Sequence, residues 1–251
     1  MLSHADLYHF ADFTRENYRR LLRLARQTYI FRTYTDFSPE ERFVLWRHDV
    51  DFSAHAARRL AELEANEGVL ATYFLYLHSE FYNLLEREVA DCVRDIIGFG
   101  HPIGLHFDAG FSDVQSQEQL EAELRREKRI LEEVFEREVS AFSFHIPTDP
   151  AHRCRAFRYA GLINTGAEYF QAHVGYCSDS NGYWRVRRLE DVLRQGSDRC
   201  LQVLTHPEWW QDAVMSPRQR LERCIDGRAN KMRAWYQRTV EEHGRPNLDW
   251  E

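Results

Sequence analysis

Residues 43–51 read FVLWRHDVD, four apolar residues followed by a cluster of charged and imidazole side chains. The apolar run Phe43–Trp46 predicts a short buried strand. His48, Asp49 and Asp51 follow it, and side chains of these types carry acid–base chemistry or bind metal ions. The organisation of the rest of the chain depends on whether other predicted strands end in the same way.

Three more predicted strands end in side chains of the same kind. His106 and Asp108 follow an apolar run, His145 follows AFSF, and His206 follows LQVLT. In a parallel barrel the carboxyl ends of all strands face one rim, and active sites are built there. The sequence therefore predicts that histidines and carboxylates from four strands meet at one mouth.

Helical patterns separate these strands, which is typical of parallel strands with crossover helices. The predicted strands are Phe43–Trp46, Val69–Leu77, Ile103–Phe107, Ala141–Phe144, Leu162–Asn164, either Gly175–Cys177 or Trp184–Val186, and Leu201–Thr205. The predicted helices are Thr14–Gln27, Ser53–Asn66, Asn83–Ile97, Ser116–Arg137, a helix from Asp149 to about Tyr159, Leu189–Arg194 and Ser216–His243. About seven strands favour an α/β fold of the (β/α)7-barrel type over an open doubly wound sheet. We expect one domain over residues 1–251, with the motifs between about 43 and 210 and the first and last helices packed on it.

Composition limits the classes of protein to which the chain can belong. It has 251 residues, 43% hydrophobic and 29% charged, a balance that excludes wholesale disorder. The net charge of −7, from 33 basic and 40 acidic residues, argues against broad nucleic-acid binding. No apolar stretch approaches the roughly 20 residues of a membrane-spanning helix. Five scattered cysteines without a C-x-x-C motif, and a start without a signal-peptide pattern, predict a cytoplasmic protein with reduced thiols.

The residue types at the predicted mouth suit metal-assisted hydrolysis. An aspartate, a histidine and a third ligand leave an open position on a divalent ion, which lowers the pKa of bound water and polarises a carbonyl. A carboxylate beside that water can act as the base, and a histidine across the site can protonate the leaving amine. Each residue also has a plainer interpretation, since Asp49 and Asp51 suit a turn and cap before Ser53. The coincidence of four strand ends favours a site.

Five stretches of the chain, in order, resemble the motifs of the polysaccharide deacetylases, the carbohydrate esterase family 4 or NodB-like proteins. They are RHDVD (47–51), GHPIGLHFD (100–108), FSFHIP (142–147), YCSDSNGYWR (176–185) and LQVLTHPEWW (201–210). HDVD in place of TFDDG resembles a divergent branch associated with surface-polysaccharide biosynthesis. The similarity runs from about Phe43 to Trp210 and leaves out the first 40 residues and the last helix.

This resemblance implies a (β/α)7 barrel and metal-dependent removal of an acetyl group from an N-acetylated sugar. It implies that Asp49 is the catalytic base and that Asp51 and His106 bind the metal. It also implies that His206 is the acid that protonates the leaving amine. The expected ion is divalent, with zinc first and iron, cobalt or nickel as alternatives.

The second and third motifs depart from the family pattern. The family carries a histidine pair four residues apart, but four residues after His106 stands Gly110, which has no side chain to offer a metal. The third motif normally carries Arg-x-Pro-Tyr, and here that register begins with His145. We expect His145 to be the third metal ligand, with Asp108 as the competing candidate.

The remaining candidates would support the site. Arg47 or Arg185 would replace the lost motif arginine that balances the base. Asp179 matches a family aspartate that orients the site, although an Asn-Gly pair close after it also suits an ordinary turn. Trp184 and Trp209 could stack on a sugar ring or pack in the core.

Two classes of function remain open. The first is a hydrolase that deacetylates an N-acetylated sugar or saccharide precursor in surface-polysaccharide or lipopolysaccharide biosynthesis, or that cleaves another non-peptide C–N bond. The second is an inactive barrel that binds saccharide or scaffolds a biosynthetic complex, which the missing second histidine favours. Asp49, Asp51 and His206 favour the enzyme, because binding alone does not require both an acid and a base. The expected partner is a saccharide and not a nucleic acid, and the pattern predicts no oligomeric state.

Overall fold

Strands and helices alternate along most of the chain. The structure, a computed structural model, describes residues 3–146 and 153–250. The strands are β1 Ile30–Arg32, β2 Phe43–Val50, β3 Thr72–Tyr76, β4 Ile103–Phe107, β5 Ala141–Phe144, β6 Arg158–Tyr159, β7 Leu162–Asn164, β8 Gly175–Ser178 and β9 Leu201–Thr205. The helices are α1 His4–Leu7, α2 Arg15–Arg26, α3 Ala54–Asn66, α4 Arg87–Gly98, α5 Gln117–Phe135, α6 Glu168–His173, α7 Leu189–Gln195 and α8 Pro217–Glu242. Short 3₁₀ turns lie at Phe10–Phe13, Ser180–Gly182 and Pro207–Trp209.

The strands form one curled sheet in the order β6-β7-β5-β4-β3-β2-β9-β8, and β1 pairs with the amino-terminal half of β2. Along this order β7, β5, β4, β3, β2, β9 and β8 are all parallel, which confirms the predicted (β/α)7 arrangement of seven strands. The short strand β6 runs antiparallel to β7. Among the described residues no ladder joins β7 to β8, so the barrel is open between these two strands.

Strand β2 is buried along its whole length. Its side chains point alternately to the two faces of the sheet, and each face packs in a separate core. Phe43 and Leu45 belong to an inner cluster with residues of β3, β5 and β7. Val44 and Trp46 belong to an outer cluster, together with residues of α2 and α3. The inner cluster consists of Tyr34, Phe43, Leu45, Phe74, Ala141, Ile163, Ala167, Phe170, Val174 and Cys200. The charged residues that follow in β2 therefore divide between the same two faces.

The helices begin at the capping residues that the sequence indicates. The Thr14 hydroxyl accepts a hydrogen bond from the backbone N–H of Asn17 at the start of α2. Ser116 and Ser216 each form a capping box at the start of α5 and α8. Such caps satisfy backbone N–H groups that the first helical turn leaves unpaired. None of the helices within residues 3–146 and 153–250 has the length and apolar character needed to cross a bilayer.

The helix predicted from Asp149 to about Tyr159 was wrong at its carboxyl end, which is the part that the structure describes. Arg158–Tyr159 forms β6, and a turn through Ala160 and Gly161, both at positive φ, returns the chain into β7. Pairing with β7 therefore overrides the local helical pattern. The predicted start of that helix, Asp149 and Pro150, lies outside the described residues.

Other differences concern weak or short patterns. Of the two alternatives for one strand, Gly175–Ser178 is β8, and residues 184–186 form no strand. The strand predicted from Val69 begins only at Thr72, and the helix predicted from Asn83 begins only at Arg87. Strand β1 and helices α1 and α6 were not predicted, because segments of three to six residues carry little periodicity.

Candidate active site

A cavity of about 630 Å³ lies at the carboxyl ends of the strands. Strands far apart in sequence contribute to its wall, which includes Asp49 after β2's midpoint, His145 after β5, Thr165 after β7, Tyr176 in β8 and His206 after β9. The curl of the sheet brings these side chains to one place. The structure thus forms a mouth where the sequence pattern predicted one.

Arg47 and Asp49 lie on the inner face of β2 and line this cavity. Asp49 is 2% exposed, and Arg47 Nη2 lies 3.0 Å from Asp49 Oδ2. Arg47 also donates a hydrogen bond to the Thr165 hydroxyl. Burial alone lowers the pKa of Arg47, but the charge of Asp49 raises it above its ordinary value. Arg47 is thus the arginine beside the predicted base, whereas Arg185 is exposed and forms no ion pair within the described part of the chain.

His48 does not lie at the mouth, although it stands between two residues of the inner face. Strand alternation turns it outward, where His48 Nε2 lies 2.6 Å from Glu64 Oε1 of α3. Its other ring nitrogen lies 2.7 Å from the Thr205 hydroxyl. Tyr73 donates to the second oxygen of Glu64 at 2.7 Å, and Tyr18 donates to the first. These groups form a buried polar network that joins β2, β3, α2 and α3.

Asp51, His106 and His145 converge at the rim of the cavity. Each offers one metal-ligating atom, and these three atoms lie within 4.8 Å of one another. His106 Nε2 is 3.1 Å from Asp51 Oδ1. Burial raises the pKa of Asp51, but the proximity of His106, His206 and His145 lowers it below its ordinary value. The arrangement holds a carboxylate in its charged form next to two imidazoles.

These residues fit a divalent metal ion. Asp51 Oδ1 and His145 Nδ1 are buried, and neither has a hydrogen-bond partner among the described residues. Buried polar atoms without partners are rare and call for an explanation such as an ion. One carboxylate and two imidazoles are also a known ligand set for zinc.

A hydroxyl missed by the sequence argument links the metal candidates to the base. His106 Nδ1 lies 2.7 Å from the Ser143 hydroxyl, which in turn donates to Asp49 Oδ1 at 3.2 Å. Because the Ser143 hydroxyl donates to Asp49, it can accept a hydrogen bond from His106 Nδ1, in the tautomer that leaves Nε2 free to bind a metal. Such outer contacts fix the orientation of metal-binding histidines. The signal was available, because Ser143 is the polar residue two places before His145 in an apolar strand.

The Asp108 carboxylate already accepts hydrogen bonds from the loop that follows β4 and from Tyr76. Its Oδ1 accepts from the backbone N–H groups of Gly110 and Phe111, at 2.8 and 3.1 Å. Its Oδ2 accepts from the Tyr76 hydroxyl at 2.6 Å. His145 Nδ1 lies 3.5 Å from the same oxygen. This carboxylate orders the loop after β4 and is a poorer candidate than His145 for the third ligand.

His206 is held by Asp179, the aspartate that the motif resemblance picked out as a support for the site. His206 Nδ1 lies 2.7 Å from Asp179 Oδ1, and the backbone N–H of His206 donates to both oxygens at 3.1 Å. The indole of Trp210 donates to Oδ2 at 3.2 Å, a contact that the sequence argument missed. Burial lowers the pKa of His206, but the hydrogen bond and charge of Asp179, with the charges of Asp51 and Glu208, raise it to about 10.

Two tryptophans named as sugar-stacking candidates lie in the core. Trp184 is 8% exposed, stacks on Phe13 at 5.1 Å and donates to Asp12 at 2.9 Å. Trp209 is 6% exposed, contacts Phe52 at 5.7 Å and belongs to the outer cluster. Neither lines the 630 Å³ cavity. Along with Arg185, they are therefore left out of the site proposed below.

Comparison with known proteins gives structural similarities only. No protein-family model matches the chain, and no curated protein matches it significantly. A family 4 carbohydrate esterase from Bacillus anthracis aligns at TM-score 0.45 and 13% identity, over 84% of this chain and 86% of that one. A mutant of a Bacillus anthracis family 4 pseudoenzyme, with restored activity, aligns at TM-score 0.43 and 16% identity, over 77% of this chain and 65% of that one. The chitin deacetylase of Colletotrichum lindemuthianum aligns at TM-score 0.41 and 13% identity, over 74% of this chain and 81% of that one. Roles for individual residues rest on the site geometry and on the motifs.

Proposed function

We propose that this protein is a metal-dependent hydrolase that removes an acetyl group from an N-acetylated sugar or saccharide precursor. One observation carries the proposal, namely that a buried carboxylate, Asp49, and an imidazole held by Asp179, His206, line the same cavity beside a three-residue metal candidate. A base and an acid facing one cavity are what amide hydrolysis requires. A role in surface-polysaccharide or lipopolysaccharide biosynthesis follows only from the motif resemblance.

Asp51, His106 and His145 would hold the ion. When bound, a divalent ion would supply Lewis acidity, polarising the acyl oxygen and lowering the pKa of a water. Zinc is the first choice for one carboxylate and two imidazoles, with iron, cobalt or nickel as alternatives.

Asp49 accepts the proton of the attacking water. Arg47 Nη2 at 3.0 Å and the Ser143 hydroxyl at 3.2 Å orient its two oxygens. Arg47 therefore takes the place of the motif arginine that the chain lacks.

His206 donates a proton to the leaving amine. Its pKa, raised to about 10, keeps the ring protonated at neutral pH. Asp179 occupies Nδ1 at 2.7 Å, so Nε2 is the nitrogen available to substrate. His206 Nε2 lies 3.8 Å from Asp51 Oδ2, which places the proton donor next to the metal candidates.

The cavity suits a saccharide. Its wall includes the amide side chains of Asn164 and Gln202, the Thr165 hydroxyl and the Tyr176 ring. Asn164, Gln202 and Thr165 each form hydrogen bonds within the protein. The 47% exposed ring of Tyr176 is therefore the wall contact that best favours a sugar, because aromatic rings pack against sugar faces. The volume of about 630 Å³ lies within the usual range for small-molecule sites, roughly 300–1,000 Å³.

The inactive-barrel alternative retains one observation in its favour. Gly110 stands where the family pattern has its second histidine, and it is exposed in the loop after β4. If the missing histidine leaves the site without a metal, the same cavity would bind saccharide without cleaving it. Metal content and acetate release separate the two proposals.

The test combines elemental analysis with an acetate-release assay on N-acetylated hexosamine oligosaccharides and nucleotide-linked N-acetylated sugars. We expect about one metal equivalent in the wild type and its loss in Asp51→Ala, His106→Ala and His145→Ala. Asp49→Asn should keep the metal but lose about 10²–10⁴-fold in kcat/KM, the usual contribution of a positioned base. Asp108→Asn is the matched control and should keep the metal.

Two results would contradict the proposal. Folded protein that takes up no metal after reconstitution would leave the inactive barrel as the better function. Metal that survives His145→Ala but is lost in Asp108→Asn would move the third ligand to Asp108.

A further inference from the structure

A second cavity of about 410 Å³ lies between α3, α4 and α8, and it shares no lining residue with the first. Its wall combines the first turn of α3, the start of α4 and one face of α8. The half-buried rings of Phe52 and Phe81, in contact at 4.5 Å, form an apolar side, with buried Tyr82 beside them. The chemistry proposed above uses none of these residues.

The charged side chains of the wall are mostly cations. Arg59, Arg223, Arg228 and Lys231 line the cavity, and Glu88 is the one carboxylate among its lining residues. This is unusual in a chain whose net charge is −7. A concentration of positive charge in a cleft attracts anions.

Two of the four cations are not neutralised by partners. Lys231 lies 2.7 Å from Glu88, and Arg228 lies 2.6 Å from Glu86. Arg59 and Arg223 are exposed at the edge of the cavity and form no ion pair within the described residues. Burial lowers the pKa of Arg59, and the charges of Arg15 and Arg223 lower it further.

Nearby carboxyl groups do not cancel this charge. Asp212 is already paired with Arg15. Glu208 lies behind the wall, close enough to Tyr82 and Cys224 to raise their pKa values. Glu208 is fully buried and does not line the cavity, and burial raises its pKa well above its ordinary value.

We propose that this second cavity binds an organic phosphate, with its phosphate on Arg59 and Arg223 and its body against Phe52 and Phe81. Guanidinium groups match phosphate oxygens with paired hydrogen bonds, and two unpaired cations match the two charges of a phosphate dianion. The volume of about 410 Å³ exceeds what phosphate alone requires, and the aromatic side provides contact area for a ring. The first turn of α3, with its positive dipole end, adds to the attraction.

The test is isothermal titration calorimetry with inorganic phosphate, pyrophosphate and adenosine diphosphate, with adenosine as the uncharged comparison. We expect adenosine diphosphate to bind more tightly than the inorganic probes, and adenosine not to bind. Arg59→Ala and Arg223→Ala should each weaken binding about tenfold or more, the usual effect of losing a charge-assisted contact. Arg238→Ala, an exposed arginine of α8 outside the cavity, is the matched control.

A further variant tests the location without removing charge. Gly227 of α8 lines the cavity, and a Cβ placed on it would meet no atom within 4 Å. Gly227→Phe should fill the space, leave the helix intact and abolish binding. Asp51→Ala must retain binding, which separates this site from phosphate held by a metal in the first cavity. Absence of binding by folded wild type at millimolar probe, or unchanged binding in Gly227→Phe, would overturn the proposal.

Discussion

At the scale of single residues, Asp179 sets both the orientation and the charge of His206. The side-chain and backbone N–H groups of His206 and the indole of Trp210 all reach the Asp179 carboxylate. This geometry occupies Nδ1, leaves Nε2 free of Asp179, and raises the pKa of His206 to about 10. A histidine with its ordinary pKa of about 6.5 would be mostly neutral at pH 7.5.

Replacing Asp179 with asparagine should move the alkaline limb of activity to lower pH. An acid must be protonated to act, so activity is present below the pKa of His206, about 10, and is lost above it. Loss of the charged partner should lower that pKa by about one to two units. The measurement is the pH profile of kcat/KM, with Asp226→Asn on exposed α8 as the control. A limb that stays in place would show that another group limits activity at high pH.

At the scale of elements, a buried arginine fixes α8 to the rest of the molecule, in addition to the ion pairs of Arg228 and Lys231. Arg220 is 0% exposed and donates to the carbonyl oxygens of Gly182 at 2.9 Å and Phe10 at 3.3 Å. Its guanidinium lies 4.5 Å from the centre of the Phe13 ring. Burial lowers the pKa of Arg220 to about 10. One side chain therefore joins the last helix, the first 3₁₀ turn and the loop after β8.

Arg220→Met should destabilise the protein by about 2–4 kcal/mol, because it removes a cation–π contact and the donor to the buried Gly182 carbonyl and the partly buried Phe10 carbonyl. Urea unfolding followed by circular dichroism measures the change. Arg218→Met, two residues earlier and exposed, is the control and should alter stability by less than about 0.5 kcal/mol. Equal effects for the two variants would mean that α8 is held by its other contacts.

At the scale of the whole molecule, the sheet has a strong centre and two weak ends. β2 pairs with β1, β3 and β9, and every residue in it is buried. β6 and β8 lie at the ends of the strand order, and each pairs on one side only among the described residues. Local opening requires less free energy where fewer hydrogen bonds and apolar contacts must break.

Native-state hydrogen exchange, followed by mass spectrometry, should therefore show a gradient across the sheet. Amides of β2 should exchange slowest, near the rate set by global unfolding, and those of the strands with one partner, β1, β6 and β8, should exchange fastest. Protection of β8 equal to that of β2 would contradict the open barrel and indicate that another segment covers this edge.

The sequence predicts this architecture well where a helix has a clear cap and several turns of apolar periodicity, or where a strand is a continuous apolar run. The helices that begin at Thr14, Ser116 and Ser216 and the strands Ile103–Phe107 and Leu201–Thr205 lie where periodicity and capping indicate. β6 was missed because its pairing with β7 is a tertiary contact. The same limit applies to the site, since composition indicates the residue types but not the Ser143 link or the Asp108 loop contacts. Core and rim tryptophans look alike in sequence, and only packing separates them.

Strand β2 also has a consequence for how this protein can change over evolutionary time. Asp49 faces the cavity and His48 faces Glu64, so neighbouring residues serve the proposed site and the buried polar network. Inserting or deleting one residue before them would exchange their faces, placing a carboxylate against the helices and leaving Glu64 without its imidazole. Loops at the rim can lengthen or shorten in descendants of this chain, but this strand can vary only by substitution. One insertion or deletion before Asp49 would remove the cavity-facing carboxylate and the imidazole partner of Glu64 at the same time.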